Sequence, residues 1–331
     1  MVEFRVDKRL IGPGNPVYII AEVGSNHDGS LEQAKKLIDA SAEAGANAVK
    51  FQSFTAEGLA ARSQERLYNF FKTVEMPKEW HRELADYAKG VGVDFLSSPF
   101  DEDAVDLLYD VDVPAFKIAS GDLTHYPLLR RAARYGRPII LSTGMGTLGE
   151  VEQAVECLRA GGTDAIALLH CVSNYPPQFE DANIRAMVTM REAFGLPVGY
   201  SDHSPGLVVP LGAVALGACI IEKHITFDRS LKGPDHPYAL EVAEFAQMVR
   251  DIRNLEAALG SGVKEPVEGE VAERMWARRG LYAARPIPKG TVLAREMIKL
   301  VRPCLALGPD SLELVQGRVA REDIGQDEAI T

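Results

Sequence analysis

This sequence predicts an α/β chain: a (β/α)8 TIM barrel followed by a small, mostly β domain. Three observations carry the prediction. From residue 17 to 225, short apolar runs alternate with amphipathic helical stretches, the pattern of a parallel sheet. There are eight runs, and with their helices they span about 250 residues, which favours a closed barrel over an open doubly wound sheet. No GxGxxG follows the first run, so a dinucleotide-binding sheet is disfavoured as well.

The eight candidate strands fall at 17–22, 48–52, 93–97, 115–120, 138–143, 166–172, 198–203 and 219–225. Between the first two, Ser30 offers an N-cap with Gln33 at the capping-box position, and Leu31, Ala34, Leu37 and Ile38 form an apolar stripe. Gly45 ends that helix. Residues 150–160 and Val242–Leu259 show the same periodicity. The pattern stops at Gly260-Ser261-Gly262, and the stretch to Arg274 reads as charged and turn-rich. The expected division is therefore a barrel over 1–262, a linker over 263–278 and a second domain over 279–331. Strand-like pieces at 281–284, 292–293, 298–301 and 319–320 make that domain mostly β. At about 50 residues it has little core of its own and needs something to dock on.

Composition narrows the function. The chain has 331 residues, 46% hydrophobic and 25% charged, which is ordinary for a soluble globular protein. A formal net charge of −11 argues against nucleic-acid or anionic-membrane partners. No apolar run approaches the roughly 20 residues that span a bilayer. The N-terminus lacks a signal-peptide pattern, so a cytoplasmic location is expected. Cys157, Cys171, Cys219 and Cys304 show no CxxC spacing and read as reduced thiols, with Cys171 and Cys219 in the core.

The strand ends are unusually polar, and active sites of such barrels form there. Lys50 and Gln52 share one strand face, Lys117 leads into Ser120 and Asp122, and Ser97-Ser98, Ser142-Thr143 and His170 through Tyr175 end other strands. A lysine inside an apolar strand is costly unless it is paired or part of a site, and here there are two. Two further strands end on histidine, in Gly-Tyr-Ser-Asp-His at 199–203 and Ile-Glu-Lys-His at 221–224. Alternation puts Ser201 with His203 and Glu222 with His224, so two imidazoles and a carboxylate point into one space. That suits a divalent metal, and it also suits two unrelated histidines stabilising strand ends. Lysines and hydroxyls beside such a centre fit a small anionic substrate.

Seven segments together resemble the sialic acid synthase family. They are Ile-Ala-Glu-Val-Gly-Ser-Asn-His-Asp-Gly (20–29), Val-Lys-Phe-Gln (49–52), Lys-Ile-Ala-Ser-Gly-Asp (117–122), Leu-Ser-Thr-Gly-Met (141–145), Gly-Tyr-Ser-Asp-His (199–203), Glu-Lys-His-Ile-Thr (222–226) and Gly-Pro-Asp-His (233–236). The family includes synthases for N-acetylneuraminic, legionaminic and pseudaminic acids and spore-coat polysaccharide proteins. The C-terminal part resembles its antifreeze-like SAF domain.

The resemblance implies a (β/α)8 barrel that condenses phosphoenolpyruvate with an N-acylated mannosamine-type sugar, releasing phosphate and a nine-carbon 2-keto acid. Carried onto this chain, Glu22, Lys50 and Lys117 are the catalytic set. His203 and His224 bind a divalent metal, Mn²⁺ foremost with Mg²⁺ or Co²⁺ as alternatives, which activates the sugar aldehyde. Lys50, Ser98, Lys117 and Ser120 hold the phosphoenolpyruvate carboxylate, and Ser142, Ser173 and Ser201 surround its phosphate. Glu22 stabilises developing positive charge at C2 and positions water. Gln52, Asp122, Tyr175 and Asp235 face the sugar. The family also implies a domain-swapped homodimer in which Arg302 contacts the acceptor's N-acyl group. Where the family usually has a Gly-x-Gly turn after Arg-Pro, this chain has Cys304-Leu305-Ala306-Leu307-Gly308. Asp122 replaces a glutamate of some members, and Ser173 an asparagine. Other classes that fit these residues are a metal-dependent hydrolase or lyase, and a non-catalytic sugar-binding relative.

Overall fold

The computed structural model describes residues 4–331, which divide into two compact units, one ending at Gly260 and one spanning Ser261–Thr331. The first begins with an antiparallel hairpin, β1 (Phe4–Val6) and β2 (Arg9–Ile11). Eight parallel strands follow: β3 (Tyr18–Glu22), β4 (Ala48–Ser53), β5 (Asp94–Pro99), β6 (Phe116–Ile118), β7 (Ile139–Ser142), β8 (Ile166–Cys171), β9 (Val198–Asp202) and β10 (Ile220–Thr226). Their pairing order, β5-β4-β3-β10-β9-β8-β7-β6, brings β5 beside β6 and makes a nearly closed barrel wrapped by helices. A two-residue strand, β11 (Leu240–Glu241), extends the end of β10.

Strand alternation divides the interior into two layers. Toward the strand starts, the inward row is Tyr18, Ile20, Ala48, Leu96, Ala115, Ile140, Ala167, Leu169 and Ile220, and Phe4, Val6 and Ile11 of the hairpin pack into it. Burial of such side chains stabilises by roughly 1.5–3 kcal/mol each, so the hairpin is a firm plug for that end. Gly199 belongs to this layer because an added Cβ would lie 2.3 Å from the Ile220 carbonyl oxygen. One step further along, the same rows carry Glu22, Lys50, Ser98, Lys117, Ser142, Cys171, Ser201 and Glu222. The second layer is polar, and it lies at the open end.

The first barrel helix, Leu31–Glu43, starts where expected, with Ser30 Oγ accepting from Gln33 N at 3.2 Å. The capping box is only half formed. The Gln33 amide instead donates to the Asn26 carbonyl at 2.6 Å and to Asp28, bracing the loop after β3. The expected strand at 115–120 ends early at Ile118, and Ser120–Asp122 forms a 3-10 turn. Ser120 and Asp122 are therefore presented from a turn, free of the strict alternation of a strand.

In the second unit the stretch read as turn-rich contains a helix, Glu268–Ala277. Local electrostatics account for it: the Glu270 carboxylate accepts from Val267 N at 3.1 Å, acids occupy the first turn and Arg274 the last. Its apolar residues Val271, Met275 and Trp276 are exposed, so burial contributes little. Beyond it, β12 (Gly280–Ala283) and β13 (Ile298–Val301) pair antiparallel, and single bridges join Tyr282 to Ala329, Ile287 to Ile324 and Val292 to Val319. Leu281, Ile287, Leu293, Ile298, Val315 and Ile330 form a small core. Among the described residues no helix is long and apolar enough to cross a membrane.

Candidate active site

The polar layer holds a buried charge cluster. Lys50 Nζ lies 2.7 Å from Glu22 Oε2 and 3.7 Å from Glu222 Oε1, and Lys117 Nζ lies 3.5 Å from the same Glu222 oxygen. Ladder register explains the convergence, since Glu22 stands opposite Lys50 and Glu222 opposite Ser201. Ser201 Oγ donates to Glu222 Oε1 at 2.9 Å, Gln52 Nε2 donates to Glu22 Oε1 at 3.1 Å, and Ser98 Oγ accepts from Lys50 at 3.3 Å. Glu222 was expected beside the histidines as the carboxylate of a metal centre. It turns instead toward the lysines, because their two cations lie within direct reach.

Environment separates the two acids. Burial pushes Glu22 up to about 7, with Lys50 opposing and Glu222 adding to the shift. Burial acts on Glu222 in the same sense, but Lys117 and Lys50 overcome it and hold the carboxyl down at about 2. Burial, with Lys50 nearby, depresses Lys117. One carboxylate thus stays firmly charged between two cations while the other is poised near neutrality.

Next to the cluster is a group of unused donors. Ser142 Oγ and Ser173 Oγ are buried without a hydrogen-bond partner among the described residues. Ser120 Oγ accepts from Gly144 N at 3.0 Å. A Cβ at Gly144 would stand 2.5 Å from Ser173 Oγ and 2.7 Å from Ser120 Oγ, so two hydroxyls crowd one small space that glycine keeps open. Buried hydroxyls without a partner, set beside two lysine cations, suit an anion.

The histidines occupy the other side. The His203 and His224 rings are 5.3 Å apart, and Tyr238 and Tyr175 pack on them, Tyr175 lying 4.4 Å from His203 and Tyr238 5.0 Å from His224. His203 Nδ1 donates to the Val172 carbonyl at 3.1 Å, which directs Nε2 into the mouth. His224 Nδ1 is buried and has no partner among the described residues. Burial, reinforced by His224, lowers His203 to about 3, and burial lowers His224 to about 4, so both rings are neutral. Two neutral imidazoles with outward lone pairs fit a divalent cation. The described residues supply no group of three or more His, Cys, Asp or Glu placed to hold one, so its other positions would fall to water or substrate.

The remaining expected residues line the rim. Asp235 Oδ2 accepts from Ser25 N at 2.9 Å and Ser25 Oγ at 2.8 Å, and its Oδ1 accepts from Tyr238 OH at 2.5 Å. Gly24 makes room for it at φ +54, where a Cβ would sit 2.5 Å from Asp235 Oδ2. Asp122 Oδ2 is buried without a partner among the described residues, and its Oδ1 lies 3.5 Å from His125 Nδ1. Burial pushes Asp122 up to about 6 against the pull of His125. Arg302 is exposed in the second unit, directly after β13. Cys171, read as core, is buried but on the inward row, its Sγ 3.8 Å from His203 Nδ1. His170 turns the other way and donates to the Ala182 carbonyl at 3.1 Å. Tyr238, Ser25, His125 and the bridging role of Glu222 escaped sequence reasoning. Only Glu222 left a signal, through its parity with His224.

Fold and mouth together define a TIM-barrel enzyme that works at the C-terminal ends of its strands. The chain belongs to the NeuB family: that family's model matches residues 37–264, and a SAF domain model matches residues 278–331. An uncharacterised protein of Methanocaldococcus jannaschii is 43% identical over 100% of this chain and 98% of its own length. The N,N'-diacetyllegionaminic acid synthase of Legionella pneumophila is 39% identical, covering 92% of this chain and 91% of its own. Among solved structures, the N-acetylneuraminic acid synthetase of Leptospira borgpetersenii in complex with citrate superposes with a TM-score of 0.78 at 39% identity, over 82% of this chain and 94% of that one.

Proposed function

We propose that this enzyme condenses phosphoenolpyruvate with an N-acylated mannosamine-type sugar to give a nine-carbon, sialic-acid-like 2-keto acid and phosphate. The observation that carries the reading is the pair of buried lysines bridged by Glu222, set against partnerless hydroxyls on one side and two neutral histidines on the other. Lys50, Lys117, Ser98 and Ser120 bind the phosphoenolpyruvate carboxylate, and Ser142, Ser173 and Ser201 bind its phosphate. A divalent metal held by His203 and His224, Mn²⁺ in the first instance, would polarise the acceptor's aldehyde carbonyl. Gln52, Asp122, Tyr175 and Asp235 orient the sugar so that C3 of phosphoenolpyruvate faces the aldehyde carbon. As that C–C bond forms, C2 becomes electron-poor. Glu22, the acid tuned near neutrality, stabilises it and positions the water that adds there. Cleavage of the C2–O bond then expels phosphate and leaves the keto group.

The names of the relatives bring two acceptor types into view, those leading to legionaminic and to N-acetylneuraminic acids. The proposal includes a cytoplasmic, domain-swapped homodimer in which Arg302 of one chain reads the acyl group in its partner's barrel. A small SAF unit with a modest core fits such docking. Incubation with phosphoenolpyruvate, Mn²⁺ and a panel of 2-acetamido and 2,4-diacetamido sugars, with mass detection of products, tests the reading. A keto acid of acceptor plus three carbons is expected. Breakdown of one substrate without any acceptor would point to a hydrolase or lyase instead.

A further inference from the structure

His203 and His224 enter the mouth from adjacent strands but are fixed by different means. His224 lies inside the β3–β10 ladder, opposite Glu22. His203 lies one residue beyond the last ladder pair of β9 and β10, which is Asp202 opposite Lys223. Regular sheet pairing with β10 therefore does not set its place. A side-chain clamp on the outer face of the barrel wall takes over there.

Lys223 Nζ pairs with Asp202 Oδ2 at 2.5 Å and also donates to the Ser204 carbonyl, while Asp202 Oδ1 accepts from Ser204 N at 2.9 Å. The residues on both sides of His203 are thus tied to one ammonium group, whose own sequence neighbours are Glu222 and His224. Both side chains of the pair are 0% exposed. A fully buried ion pair gives little net stability over apolar side chains of the same volume. What it does supply is direction, through bonds that only one geometry satisfies.

We propose that Lys223 is a positioning residue: acting through Asp202 and Ser204, it holds His203 at the separation from His224 that a divalent metal requires. The inference rests on the metal reading above and adds the device that sets it. The alternation of β10 makes this possible, since the inward side chains Glu222 and His224 do the chemistry while the outward one between them holds the neighbouring strand end.

The test compares wild type with Lys223→Met/Asp202→Leu, which removes both charges and leaves neither partner buried alone. Mn²⁺ binding is measured by calorimetry on the full chain, and bound Co²⁺ is read from its visible absorption. The expected result is a folded variant with Mn²⁺ affinity lowered about ten- to hundredfold, the range for lost support of metal ligands, and an altered Co²⁺ band. Phosphoenolpyruvate added without metal should raise the melting temperature of both proteins equally. A neutral hydrogen-bonding pair, Lys223→Gln/Asp202→Asn, should recover part of the affinity, and it serves as the probe if the apolar pair does not fold. Wild-type affinity and spectrum in a folded variant would overturn the inference alone. Failure of the wild type to bind either ion would instead overturn the metal reading, and this inference with it.

Discussion

Glu222→Gln perturbs the charge balance of the mouth at its centre. In the wild type one carboxylate oxygen lies 3.5 Å from Lys117 Nζ and 3.7 Å from Lys50 Nζ. Lys50 keeps Glu22 at 2.7 Å, whereas Glu222 is the carboxylate within ion-pair distance of Lys117. At an effective dielectric near 20, unit charges at that separation attract by about 5 kcal/mol. Breaking a buried pair costs about 3–5 kcal/mol in practice. Lys117 is already depressed by burial and by Lys50, so it can shed its proton and limit the loss; a value of about 3 kcal/mol follows. For a barrel of this size that is a fall in Tm of roughly 6 °C. A saturating anionic substrate should narrow the gap, because its carboxylate and phosphate replace the missing charge. Thermal unfolding of both proteins with and without phosphoenolpyruvate reads both effects. An unchanged Tm, or a gap that phosphoenolpyruvate leaves as it was, would refute the reasoning.

Three further substitutions probe other parts of the mouth. Asp122, buried and raised to about 6, is protonated in the fold at pH values where the unfolded chain has lost its proton, so its burial costs stability progressively as pH rises from about 4 to 6. Asp122→Asn should therefore match wild type below pH 4 and exceed it above pH 6 by about 2–3 kcal/mol, with a raised acceptor KM; denaturation curves across pH with no such crossover would contradict this. Gly144→Ala places a methyl against Ser120 and Ser173 and should raise the KM for phosphoenolpyruvate about tenfold or more, with a modest loss of Tm as the two serine side chains turn aside. Arg302→Ala should impair acceptor use while phosphoenolpyruvate binding is kept; equal effects on both substrates would remove its proposed role.

Strand parity made much of the barrel legible before the structure. Most strands alternate between a mainly apolar outer row and an inward row that turns polar near its end, so Glu22, Lys50, Lys117, Ser142 and Ser201 fall at one barrel mouth. Parity says which face a side chain takes, and not which neighbour it reaches. Glu222 was accordingly grouped with the histidines when its oxygen lies against Lys50 and Lys117. Cys171 follows Ala167 and Leu169 on an inward row, a step apart from the apolar run that made it look like core. Tyr238 and Ser25 were invisible because they act from a short 3-10 turn and a loop, where no long period constrains direction, and contact is made across more than 200 residues of sequence for the Ser25–Asp235 pair. The helix at Glu268–Ala277 was missed for a related reason: capping and charge, with no buried stripe, hold it.

Phosphate release measured in four mixtures bears most directly on the central claim, with and without Mn²⁺ after chelation and with and without an N-acylated mannosamine-type acceptor. The account predicts release only when both are present, at a rate matched by appearance of the nine-carbon keto acid. Equal release without acceptor, or full turnover in folded, metal-stripped enzyme, would contradict it.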